Sequence, residues 1–179
     1  MNIAVVDASL FAYHFRPDIT LNKNLEDFYL PEGVEQLEVM PCIYSRLGKS
    51  GKAVSGKFAD RYFDNIDFGC LLTDATSDAP WGEATSLALT SIFPLKFLHP
   101  DTFSKLSVAL SIGDRDVYNA AGISPLAIAE GIIKVSRKAY LRQGDIIAVQ
   151  LLPTGFPLKQ GDIIGLRCGE SEPLRLCIR

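Results

Sequence analysis

The side chains able to do chemistry in this 179-residue chain are few and widely spaced. The only histidines are His14 and His99. His14, in AYHFRPDITL, is the one candidate for proton transfer in a pocket, whereas His99-Pro100 reads as a surface turn ahead of Asp101. Neither belongs to a Ser-His-Asp set, and two isolated histidines beside scattered cysteines make no zinc site. Cys42, Cys70, Cys168 and Cys177 show no CxxC spacing. They read as reduced, small hydrophobic residues, with a Cys168–Cys177 disulfide across a terminal hairpin as the alternative. Arg46, Lys49 and Lys52 lie in a Gly/Lys/Ser stretch and read as a solvated turn. No GxGxxG follows a strand and no phosphate loop occurs, so nucleotide binding has no support.

The most organised stretch runs from Leu141 to Leu166 and says nearly the same thing twice: LRQGDII, then AVQLLPTGFP, then LKQGDII. In each copy a Gly-Asp turn feeds an Ile-Ile pair, and such a pair favours a pleated, buried strand. The link carrying Pro153, Thr154 and Gly155 is slung between two rigid halves, which is where a ligand would sit.

The elements that must position these residues are mostly strands. Ile3–Val6 reads as a short strand, and Ile66–Thr73 as a buried one that ends in the loop DATSDAP before Trp81. The uneven apolar run Val34–Tyr44 reads as a strand that Pro41 confines to an edge or a bulge, because proline cannot donate to a ladder. Thr85–Leu98 reads as strands broken at Pro94. Leu106, Val108, Leu110 and Ile112 alternate into a Gly113-Asp114 turn, a hairpin signal. Lys57–Asn65 fits a short helix, and the clearest helix runs over about residues 125–138. It has Ser124 as N-cap, Pro125 in the first position and a stripe of Ile128, Ile132, Val135 and Ala139. The expectation is nine or ten strands with two or three short helices, in one domain spanning residues 1–179.

The totals exclude some functions. The net charge is −3 with Lys and Arg spread along the chain, so no basic block marks a nucleic-acid partner. The start lacks the basic residues of a signal peptide, and no apolar run reaches the roughly 18–20 residues of a membrane helix. The expected location is the cytoplasm, without a membrane partner.

With the helix and the doubled turn in view, the chain resembles the fumarylacetoacetate hydrolase family. The resemblance rests on an ordered set: Ser111-Ile112-Gly113-Asp114, the helix carrying Val135-Ser136, Leu141–Ile147, Pro153–Gly155 and Leu158–Ile164. Upstream, FRPDITL is similar to the family's "lKPdsal" element, and Pro80-Trp81 to the PW before its "K.fD" motif. The resemblance implies an α+β, β-rich fold, a mixed β-sandwich or roll. It also implies a homodimer, a small oxo-acid ligand, and Mg or Mn held by carboxylates of an "E.E" pair and an "ND" strand. Such an ion would act as a Lewis acid on a dicarbonyl substrate.

The residues that would do this are replaced. In the matching register Leu37 and Val39 stand at the two Glu positions, Leu71 near the Asp position, and Leu151-Leu152-Pro153 at the "GTP" turn. After Trp81 neither the Lys nor the Asp of "K.fD" remains. Apolar residues there stabilise by burial, at roughly 1.5–3 kcal/mol for a fully buried Leu. Leu37, Val39 and Leu71, with Pro153, Thr154 and Gly155, are therefore expected to line a filled-in pocket. Glu35, Glu38 and Asp74 are the nearest acids, and of these Glu38 and Asp74 are the candidates for a surviving metal ligand, with His14 as the catalytic candidate. The sequence thus implies a degenerate family member with no cofactor and a structural, regulatory or binding role. Two alternatives stand beside it. One is an active metal-dependent hydrolase, isomerase or decarboxylase of acylpyruvate-like oxo-acids with relocated acids, using Mg or Mn. The other is a subunit completed by a partner chain.

Overall fold

The computed structural model describes residues 1–76 and 80–179, so residues 77–79 of the DATSDAP loop lie outside the described residues. Among the described residues twelve strands form two sheets, and no helix is long and apolar enough to cross a membrane. The strands are β1 (Ile3–Val6), β2 (Tyr13–Arg16), β3 (Leu21–Asn22), β4 (Leu37–Arg46), β5 (Asp67–Asp74), β6 (Ser91–Ile92), β7 (Ser107–Ile112), β8 (Arg115–Ala121), β9 (Ile146–Gln150), β10 (Phe156–Leu158), β11 (Ile163–Cys168) and β12 (Ser171–Cys177). The larger, eight-stranded sheet has the order β2-β1-β9-β4-β5-β6-β3, with β10 paired to β4; the smaller has the order β12-β11-β7-β8. Helices are α1 (Trp81–Ala84), α2 (Pro100–Phe103) and α3 (Leu126–Ser136), with 3₁₀ turns at Asp18–Thr20 and Gly56–Tyr62. This is the β-rich α+β architecture expected from the sequence.

The doubled motif feeds both sheets. Gly144 and Gly161 sit at φ 89 and 91, a left-handed conformation open to glycine without the steric cost of a Cβ. Each following Asp turns back to accept from the backbone N–H three residues earlier: Arg142 N–H to Asp145 Oδ2 at 2.9 Å, Lys159 N–H to Asp162 Oδ2 at 2.8 Å. The first copy launches β9, which runs parallel to β1 in the middle of the larger sheet. The second launches β11 in the smaller one. The runs IAVV and IIAVQ are buried nearly throughout, as strands covered on both faces must be.

One face of the larger sheet packs against α3 and the smaller sheet. Ala4, Val6, Val39, Ile43, Phe68, Leu72, Ile147 and Val149 meet Ile128, Ile132, Val135, Leu110, Ile164 and Leu174 in one cluster. At Gly131 a Cβ would come within 3.0 Å of Ile147 Cγ2, which is how closely the helix rides on the sheet. The opposite face carries a second, smaller cluster of Ile3, Val5, Cys42, Tyr44, Leu71, Phe93, Ile146 and Ala148.

Several sequence expectations are corrected. Pro41 lies inside β4, an interior strand between β9 and β5, and is buried. It is tolerated because β9 pairs with residues 42–46 and β10 with residues 37–39, leaving Pro41 at the gap. Its carbonyl accepts from Leu151 N–H at 3.0 Å on that side, and the nitrogen of the same residue points the same way, where no ladder donor is needed. Thr85–Leu98 supplies only the two-residue strand β6, with Leu89, Leu95 and Phe97 at positive φ. The 57–65 helix is a 3₁₀ turn at Gly56–Tyr62. Cys168 pairs with Ser171 and Cys177 with Ile163, at opposite ends of the terminal hairpin, about 17 Å apart along the strand. No disulfide spans that distance, and all four cysteines are free.

Candidate functional site

Strand β2 has the sequence Tyr-His-Phe-Arg, and strand alternation sends His14 and Arg16 to one face and Tyr13 and Phe15 to the other. Cross-strand pairing places His14 beside Val5 and Arg16 beside Ile3, so both belong to the face of the smaller cluster. There His14 opens into a cleft of about 220 Å³ lined by Asp7, Ala12, Tyr13, Trp81 and Gln150.

Arg16 is 1% exposed. Its Nη1 donates to the Leu72 carbonyl at 2.9 Å and the Thr90 carbonyl at 3.4 Å, and Nη2 donates to Thr73 Oγ1 at 2.9 Å. No carboxylate pairs with it among the described residues, and its Nε has no partner. Burial brings its pKa down to about 10, so it remains a cation at neutral pH. A buried charge balanced only by neutral acceptors costs free energy, and a nearby anion would offset part of that cost.

His14 is neutral. Burial first, and the Arg16 cation second, hold its pKa at about 4. Its Nε2 is buried without a partner, and its ring meets the edge of Trp81 at 5.2 Å. Among the described residues no carboxylate orients it: Asp7 in the same cleft is spent on the β1–β2 turn, accepting from Ser9 Oγ, Phe11 N–H and Ala12 N–H. An imidazole with so low a pKa is a poor general base at neutral pH but a ready hydrogen-bonding group for a ligand.

The residues expected to form a pocket are not brought together. Leu37 and Val39 belong to the main core, and Leu71 to the opposite face. The pairing explains this: Val39 faces Leu72 across the β4–β5 ladder, and Leu71 faces Met40. Pro153 and Thr154 are exposed, and Gly155 lies against β4, where a Cβ would come within 2.9 Å of Glu38 Cβ and 3.0 Å of the Val39 carbonyl oxygen. The link between the two Gly-Asp turns is thus stitched to β4.

The candidate metal acids diverge. Glu38 pairs with Thr73 and Leu37 with Asp74, so Glu38 and Asp74 point to opposite faces. Asp74 Oδ1 accepts from Thr76 N–H at 2.9 Å, and Glu35 is exposed. Asp67, the other acid of β5, is raised by burial and its carboxylate is taken up by Tyr44 OH, Phe68 N–H and Lys96 N–H. Among the described residues no three of His, Cys, Asp or Glu converge to hold an ion. These residues do not fit Mg or Mn. His99 is exposed and caps α2, accepting from Asp101 N–H at 3.3 Å. Arg16 and Trp81 enter the sequence reading only as parts of the FRPDITL and Pro80-Trp81 elements, with no site role assigned, and Gln150 not at all; for Arg16 the available signals are its place in FRPDITL and its two-residue spacing from His14.

No protein-family model matches the chain, and no curated protein matches it in sequence. Solved structures do match. A protein assigned to the fumarylacetoacetate hydrolase family from Yersinia pestis CO92 aligns with a TM-score of 0.78 and 16% identity, over 99% of this chain and 93% of that one. The 2-hydroxyhepta-2,4-diene-1,7-dioate isomerase of Mycobacterium marinum aligns with a TM-score of 0.82 and 15% identity, over 99% of this chain and 73% of that one. The fumarylpyruvate hydrolase of Pseudomonas aeruginosa, solved with Mn²⁺ and pyruvate, aligns with a TM-score of 0.77 and 13% identity, over 100% of this chain and 90% of that one. At these identities the architecture is what is shared: the chain has the fumarylacetoacetate hydrolase fold.

Proposed function

We propose that this chain is a degenerate member of the fumarylacetoacetate hydrolase family that does not perform metal-dependent C–C hydrolysis and instead binds a small oxo-acid in the His14 cleft. One observation carries the reading. Where β4 and β5 meet on the cleft side, the buried cation Arg16 donates to Thr73 Oγ1, and of the candidate metal acids only Glu38, paired with Thr73, shares that face, while Asp74 turns to the other, so no pair of carboxylates converges there among the described residues. A buried guanidinium repels a divalent cation and attracts an anion. The cleft, at about 220 Å³, is below the roughly 300 Å³ at which drug-sized pockets begin, which restricts it to a ligand of a few heavy atoms. The carboxylate of such a ligand would enter beside the unpartnered His14 Nε2, with Arg16 acting through its field from behind. Self-association into a homodimer belongs to the same reading.

Calorimetric titration tests it directly. Pyruvate and an acylpyruvate are expected to bind the wild type and to lose at least tenfold in affinity in Arg16→Met, while Mg²⁺, Mn²⁺ and Ca²⁺ give no micromolar binding. Micromolar metal binding lost in Glu38→Ala or Asp74→Ala, or acylpyruvate turnover stopped by a chelator, would overturn the reading.

A further inference from the structure

The other face of β2 builds a different surface. Phe11, Tyr13 and Phe15 are spaced two residues apart along the β1–β2 hairpin, and Phe11 and Phe15 are 81% and 44% exposed. Beside them the last turn of α3 and the residues after it present Lys134, Arg137 and Lys138, whose three- and four-residue spacing puts them on one side of the helix end. Two adjoining clefts of about 350 and 600 Å³ run between strand and helix and share Phe11, Lys134 and Arg137. Among the described residues none of these three cations forms an ion pair, and one acid, Glu130, stands at the end of the groove.

Two further features say what kind of partner fits. Strand β2 ends the order of the larger sheet, so among the described residues one side of its backbone has no ladder partner. The turn that displays Phe11 is also fixed in place. Leu10 holds φ 60, a conformation uncommon for a residue with a side chain, and the Asp7 carboxylate accepts from Phe11 N–H at 2.9 Å. An exposed ring on a held turn is a pre-organised anchor, which loses little entropy on binding.

We propose that the groove between β2 and α3 docks an extended acidic peptide of a partner protein, added alongside β2 as a further strand. Its backbone pairs with the open edge, and every second side chain faces α3, apolar ones meeting Phe11 and Phe15 and acidic ones on the same face meeting Lys134, Arg137 and Lys138. Edge addition of this kind takes affinity from main-chain hydrogen bonds and selectivity from alternate side chains. The site lies across β2 from the His14 cleft and does not depend on the reading given for it.

The test is fluorescence anisotropy on the intact protein with a fluorescein-labelled octapeptide in which phenylalanine and glutamate take turns at every second position, with threonine between, so that both fall on one strand face. Its glutamine counterpart and a labelled oligothymidylate of equal charge serve as comparisons. Saturable binding of the acidic peptide is expected, weakened at least tenfold by the double change Arg137→Glu, Lys138→Glu and separately by Phe11→Ala, all at exposed positions. Equal binding of the glutamine peptide would overturn the proposal. Tighter binding of the oligothymidylate would do so in favour of nucleic acid. Dimerisation that Phe11→Ala abolishes would do so in favour of a second copy of this chain.

Discussion

The two faces of the larger sheet are made by the same strands and do different work. On the packed face, successive strands contribute Val6, Val149, Val39 and Phe68, and α3 and the smaller sheet close over them. On the other face the same strands contribute Val5, Ala148, Cys42 and Gly69, buried in a second, smaller apolar cluster. There the stacked pair Tyr44 and Phe93, with centroids 4.2 Å apart, gives way toward β2 to a buried Arg and a neutral His. The difference separates cohesion from recognition. A fully apolar face supplies stability and offers a ligand nothing to hold, while the other face carries a buried cation balanced by neutral acceptors, whose cost a bound anion would offset.

Neighbouring residues break the two faces in opposite ways. Phe68 is fully buried on the packed face, its ring 6.5 Å from that of Tyr118 in the smaller sheet. Phe68→Ala opens a cavity between the sheets and should cost about 3–5 kcal/mol in denaturant titration. Gly69 faces the other way, where an added Cβ would meet Phe93 Cδ1 at 2.8 Å and the Ile92 carbonyl oxygen at 2.9 Å. Gly69→Ala fails by crowding, at about 1–3 kcal/mol, because backbone cannot move aside as a flexible side chain can. If Gly69→Ala proved the costlier of the two, the polar face would be the more tightly packed and the contrast would be lost.

The face that carries His14 also has an acid-side pH signature. In the folded protein His14 stays neutral down to about pH 4, whereas in the unfolded chain it protonates near its ordinary value of 6.5. Throughout that interval the unfolded state binds more protons, so the contribution to stability is complete above pH 6.5 and is lost as the pH falls toward 4. Allowing for solvent at the cleft mouth, the loss should be about 1–3 kcal/mol, read as a falling chemical-denaturation midpoint. His14→Gln should flatten that slope.

How much of this was legible in the sequence depended on whether the deciding contact was local. Helix α3 was in place and face, with Ile128, Ile132 and Val135 buried as their spacing implied, though it runs Leu126–Ser136 with Pro125 rather than Ser124 at the N-cap; Ser124 Oγ accepts from Leu126 N–H at 3.3 Å. The β7–β8 hairpin and both Gly-Asp turns were legible for the same reason. Pro41 was misjudged because the rule against proline in interior strands cannot see a gap between β9 and β10. Grouping Leu71 with Leu37 and Val39 required the β4–β5 register to the residue, and a one-residue error moves a side chain to the other face. Arg16 stayed hidden because its acceptors, Leu72 and Thr90, are 56 and 74 residues away.

The smallest expected effect discriminates best. Arg16→Met keeps most of the apolar length of the side chain and removes the charge. The loss is the bonds to the Leu72 and Thr90 carbonyls and to Thr73 Oγ1; the gain is that a desolvated cation without a carboxylate no longer has to be buried. Replacing buried charge by an apolar group of similar volume is often neutral or better, so the variant should stay within about 1 kcal/mol of the wild type by denaturant titration. A residue so deeply buried yet nearly neutral to stability would be held for what it attracts. A loss of several kcal/mol would instead make Arg16 a brace between β2, β5 and the Thr90 loop, and the polar face would then be architecture like the packed one.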